Sequence, residues 1–158
     1  MEQIPQEVII LGAGLSIEEG KQKGLYEKIK NRFTIGLNLS YKEFDSTIVM
    51  FVDEPFYERE VEQLKKLPLV IGVAHGIINP DEHPNFILFR NSGTYYGKDS
   101  IKQNKIYSTW LVGIFSLTFS IALGCKQAYL LGYDWGIDKT NIKKNGNQIA
   151  LIVGTRLK

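Results

Sequence analysis

Glu7-Val-Ile-Ile-Leu-Gly-Ala-Gly-Leu-Ser-Ile17 is the stretch whose reading decides the fold. A β-branched apolar run that breaks into glycines reads as a buried parallel strand followed by a tight turn into a helix. Gly12 and Gly14 let the backbone pass close to a partner group, and Ser16 adds a hydroxyl at the same turn. The position three after Gly14 is Ile17, so the spacing is not that of the dinucleotide fingerprint, and it is not a P-loop. A strand end with two glycines and a hydroxyl suits a mononucleotide phosphate or ribose; the bland alternative is a plain strand-to-helix turn.

Outward from this strand, the chain alternates strand and helix patterns. The spacing predicts strands over Val8 to Leu11, Phe33 to Leu37, Thr47 to Val52, Leu69 to Val73, Phe86 to Phe89 and Ala128 to Leu131. Helical spacing of Leu25, Tyr26 and Ile29 predicts a helix from Gln22 to Asn31, and Pro55 suits the first turn of another that Pro68 stops. Such alternation argues for an α/β fold: a Rossmann-like, mainly parallel sheet of five to six strands with helices on both faces. Residues 1–136 form the expected nucleotide-binding domain, and 137–158 its tail or edge hairpin, where an Asn-Gly pair precedes Ile149 to Val153.

With 158 residues, 44% of them hydrophobic, the chain has enough apolar material for one core. Nineteen basic against seventeen acidic residues leave a net charge of +2 without long blocks of either sign, so nucleic acid is not the expected partner. The single Cys125 excludes an internal disulfide and a cysteine-based zinc cluster, and Met-Glu-Gln-Ile-Pro lacks the features of a secretory signal; a reducing, cytoplasmic location is expected. Ile106 to Cys125 is a run of twenty uncharged residues, about the length of a membrane span. Five of them are Ser or Thr, and two are glycines. A buried helix, roughly Ser108 to Leu123, is expected there rather than a span.

In parallel sheets, ligands lie outside the carboxyl ends of the strands. Those ends carry Gly12 and Gly14, then Asn38, Asp53 with Glu54, His75, and finally Gly132-Tyr-Asp134. Asn38 can donate and accept, which suits a base edge or a ribose; it also suits the closing of a turn. Asp53 and Glu54 could orient a sugar or hold magnesium against phosphates, and acidic residues before Pro55 also suit a helix start. His75, before Gly76, is a candidate general base. His83, in a proline-punctuated polar loop, is expected to face solvent, and its neighbours Asp81 and Glu82 cannot all point inward with it to a metal. Arg90, at the end of an apolar run, could meet a phosphate or carboxylate.

Gly-x-Gly-x-Ser after the first strand, an Asn after the second, and Ile121-Ala-Leu-Gly-Cys-Lys-Gln-Ala-Tyr-Leu-Leu-Gly-Tyr-Asp134 together resemble the bacterial lipo-oligosaccharide sialyltransferases and their 6-hydroxymethylpterin diphosphokinase-like relatives. The resemblance implies a nucleotide-binding protein of transferase ancestry, a glycosyltransferase using a nucleotide-sugar or a diphosphokinase. It puts Gly12, Gly14, Ser16 and Asn38 at the nucleotide; the strand-end rule adds Gly132 there and leaves His75, Asp53 and Asp134 for chemistry, with both a magnesium cofactor and homo-oligomerisation left open. Ala13 and Leu15 stand where those families carry other loop residues, and no histidine follows His83. The alternative expectation is therefore a non-catalytic Rossmann-like module serving as an assembly or accessory protein.

Overall fold

Side chains of a strand alternate between the two faces of a sheet, so a strand apolar at every position must be covered on both. A computed structural model of the chain, which describes residues 5–73, 76, 78–91, 99–107, 110–133 and 155–156, has this arrangement. The strands are β1 (Glu7–Leu11), β2 (Thr34–Leu37), β3 (Ile48–Phe51), β4 (Val70–Val73), β5 (Phe86–Asn91), β6 (Lys105–Ile106), β7 (Gln127–Leu131) and β8 (Thr155–Arg156). The helices are α1 (Ser16–Gln22), α2 (Leu25–Ile29), α3 (Glu54–Leu64), α4 (Asp99–Gln103) and α5 (Val112–Leu123). The sheet order is β6-β5-β4-β3-β2-β1-β7-β8. All pairings from β6 across to β7 are parallel, and β8 closes the other edge antiparallel to β7. The fold is the expected Rossmann-like α/β, with seven parallel strands rather than five to six. The two-residue β6, too short to leave a periodic signal, is the one parallel strand beyond the six ranges expected.

The alternation sorts the core into two layers. Val8 and Ile10 of β1, Ile48 and Met50 of β3, and Ile71 and Val73 of β4 pack with Phe115 and Phe119 of α5. Their neighbours turn to the opposite face: Ile9 and Leu11 meet Ile17 of α1 and Ile29 of α2, while Val49 and Phe51 meet Phe56 and Leu64 of α3. Gly72 of β4 completes that second layer, because a Cβ there would lie 2.7 Å from the Phe51 ring.

The uncharged run forms α5, which begins at Val112 rather than Ser108; Trp110 before it adopts φ +59°. Its hydroxyls are satisfied inside the fold. Ser116 donates to the Gly113 carbonyl at 2.8 Å and Ser120 to the Ser116 carbonyl at 2.7 Å. Thr118 donates to the Tyr107 carbonyl at 2.6 Å. Gly124, at φ +92°, ends the helix, and the Cys125 amide reaches back to the Ser120 carbonyl at 3.0 Å, a Schellman closure. No helix among the described residues is long and apolar enough to cross a membrane. The helix expected over 22–31 is present as the shorter α2, which Gly24 at φ +75° separates from α1 before it.

Candidate functional site

β1 has β2 on one side and β7 on the other, so the strand order reverses between β1 and β7. A crevice opens at such a switch point, on the carboxyl edge. Here the two strand ends meet through glycines. The Gly12 amide donates to the Leu131 carbonyl at 2.7 Å and the Gly14 amide to the Gly132 carbonyl at 2.9 Å. A Cβ on Gly12 would lie 2.4 Å from the Gly132 oxygen; one on Gly132, at φ +72°, would lie 2.6 Å from Ile17 Cγ1. The glycines are therefore required by the contact between β1 and β7. Ile17 donates to the Gly14 carbonyl at 3.1 Å and anchors the turn into α1.

On the other side of β1, the end of β2 forms a cleft with the Gly12–Leu15 turn. Asn38 takes φ +49° and starts a 3-10 turn over Asn38–Lys42. Gly36 allows two hydroxyls to pack over it: a Cβ there would lie 2.6 Å from Ser46 Oγ and 2.8 Å from Ser40 Oγ. Ser40 is only 4% exposed, yet its Oγ and the Asn38 Oδ1 have no hydrogen-bond partner among the described residues. A buried polar atom left unpaired costs free energy, so such atoms call for an explanation. Ser40 lines a cleft of about 130 Å³ between the Gly12–Leu15 turn and the 3-10 turn, flanked by the exposed Leu15 and Leu39.

Glu18 and Glu43 also line this cleft, and Lys21 bridges them, its ammonium 2.7 Å from Glu18. The hydrogen bonds it donates to those carboxylates, Glu18 first, hold the Lys21 pKa well above its ordinary value. Two carboxylates against one ammonium make the rim acidic, which favours hydroxyl and amino groups in the cleft over phosphate. The turn carrying Ser40 is pinned from outside by Glu60 of α3. Its carboxylate accepts from Tyr41 at 2.7 Å, and pairs with Lys42 at 2.7 Å and Arg59 at 3.1 Å. These contacts, Lys42 foremost, hold the Glu60 carboxyl at about 2, while burial and the same carboxylate push the Tyr41 phenol up.

Of the residues expected at the site, Asp53, Asn38, Gly12 and Gly132 follow the ends of β3, β2, β1 and β7, which are consecutive in the sheet. At the usual strand spacing that row spans about 14 Å. Gly14 and Ser16 lie at the turn beside it. Asp53 caps α3 through its backbone alone, and its exposed carboxylate makes no hydrogen bond or ion pair among the described residues. His75 and Asp134 lie outside the described residues. No three His, Cys, Asp or Glu side chains converge among the described residues.

His83 corrects an expectation. It is 2% exposed, not solvent-facing, with Nε2 2.8 Å from the Tyr57 hydroxyl and its ring stacked on Phe86 at 4.7 Å. Apolar residues on either side in space, not in sequence, bury it. Ser40 and Glu43 escaped notice for a similar reason: a serine and a glutamate after a strand look like loop residues until Gly36 and α1 close around them. Comparison with protein-family models, curated proteins and solved structures found no match to the chain.

Proposed function

We propose that the protein binds a nucleotide along the carboxyl ends of β2, β1 and β7, with the nucleoside part in the Ser40 cleft. The observation that carries this reading is the buried, unpartnered Ser40 Oγ, joined by the Asn38 Oδ1. A ribose hydroxyl or base edge would satisfy the Ser40 hydroxyl, and Leu15 and Leu39 would cover an aromatic base. The acidic rim of Glu18 and Glu43 suits that hydroxyl-bearing end, and because the Gly12 and Gly14 amides already donate to β7 carbonyls, the phosphates would extend out of the cleft, over the strand ends toward Gly132. In the catalytic version, a nucleotide-sugar or nucleoside triphosphate donates a group, with Asp53, His75 and Asp134 to orient the acceptor or take its proton. In the non-catalytic version the same cleft holds the nucleotide without a group transfer.

The test is calorimetry and thermal shift with CMP, CDP, UDP, ATP and NAD on the native chain and on Ser40→Ala. At one hundred times its Kd, a nucleotide should add roughly 2.7 kcal/mol of stability. Loss of the Ser40 hydroxyl should weaken binding roughly tenfold. Failure of every nucleotide to bind, or unchanged affinity in Ser40→Ala, would overturn the reading. A product assay with a labelled donor, on native chain and Asp53→Asn, then separates the catalytic from the non-catalytic version.

A further inference from the structure

A second cavity, of about 460 Å³, lies on the α3-side face near the β6 edge, three strands away from β2. Its size falls in the usual range of small-molecule sites. Ile78, Pro80 and Leu88 form apolar walls, and Arg90, Gln103 and Asn104 supply the polar groups. Alternation along β5 accounts for this placement: Phe86 packs in the α3-side core and Leu88 against it, so Arg90 follows on the same face. The Arg90 amide donates to the Asn104 carbonyl at 2.7 Å, and Asn104 turns the chain at φ +49°, which fixes the two residues side by side.

The Arg90 guanidinium and the Gln103 and Asn104 amides make no side-chain hydrogen bond or ion pair among the described residues. A guanidinium offers a planar fork of donors that matches carboxylate and phosphate oxygens, and two amides beside it add donors that carry no competing charge. We propose that this cavity binds a small organic oxyanion, a carboxylate or phosphate monoester attached to an apolar body, independently of the nucleotide cleft. Arg90 would hold the anion, Gln103 and Asn104 its remaining oxygens, and Ile78 and Leu88 the body.

The experiment is calorimetric titration of the full chain with benzoate, phenyl phosphate, inorganic phosphate and benzyl alcohol, repeated on Arg90→Gln, Arg90→Lys and Ser40→Ala. Benzoate or phenyl phosphate should bind, the better of the two identifying the oxyanion, and benzyl alcohol should not. Affinity should fall at least about tenfold in Arg90→Gln and less in Arg90→Lys, while Ser40→Ala should bind as the native chain does. Arg90 is exposed at the end of its strand, so an unchanged melting temperature is expected to certify the fold of its variants. Equal binding by Arg90→Gln, equal binding of benzyl alcohol, or no binding of either aromatic anion would overturn the proposal. Inorganic phosphate binding as tightly as phenyl phosphate would overturn the apolar part of it. Loss of anion binding in Ser40→Ala would show that the two sites are one, whereas failure of nucleotides alone leaves these arms unaffected.

Discussion

Two residues at the carboxyl edge have opposite relations to stability. Gly12 has no room for a methyl group, because the carbonyl of Gly132 would lie 2.4 Å from it. Gly12→Ala should therefore destabilise the protein by about 1–3 kcal/mol through forced separation of β1 from β7, read as a lower urea midpoint; an unchanged midpoint would contradict that packing. Ser40 is the reverse case. Its hydroxyl is buried without a partner, so Ser40→Ala removes a desolvated polar atom and should leave the ligand-free midpoint unchanged or raised. A clear loss of ligand-free stability would mean that Ser40 holds the fold rather than awaiting a ligand. These two residues are also unequally legible. Gly12 stands in a pattern that announces a tight turn, whereas nothing near Ser40 in the chain indicates that Gly36 and Ser46 will enclose it.

At the scale of elements, Glu60 ties α3 to the turn that carries Asn38 and Ser40. Its carboxyl is held from an ordinary 4.5 down to about 2, first by Lys42 and then by Tyr41. A depressed carboxyl contributes stability that is complete above its ordinary value and is lost as the pH falls toward the folded-state value. Unfolding measured between pH 7 and pH 2 should therefore show the native chain weakening from about pH 4.5 downward, where the value of the free carboxyl lies. Glu60→Gln should be less stable at pH 7 and flatter over that window, so that the two curves converge at low pH. Parallel curves would exclude Glu60 as the source. α5 presents a related economy. Ser116, Thr118 and Ser120 each donate to backbone carbonyls, which lets a hydroxyl-rich helix sit in the core.

Over the whole molecule, protection should follow the sheet order. β1 is paired on both sides and buried at Val8, Ile10 and Leu11, whereas β6 and β8 are two-residue edges. Native-state hydrogen exchange should find the slowest amides in β1, β2 and β3 and fast exchange in β6; a fast β1 would mean that the switch point opens without global unfolding. The apolar runs of β1, β3, β4 and β7, the proline at the start of α3 and the glycine at the end of α5 are local features, because each depends on what one stretch of backbone can adopt and bury. The sequence by itself therefore determined an α/β chain with a parallel sheet covered on both faces and a glycine turn after its first strand. Only the tertiary structure decided that β7 returns beside β1, that Gly12 and Gly132 touch, that His83 is buried, and that Ser40 and Arg90 each border a cavity. Those outcomes depend on contacts between residues far apart in the chain, and a strand's own pattern specifies which faces it must bury without naming the strand that will lie beside it.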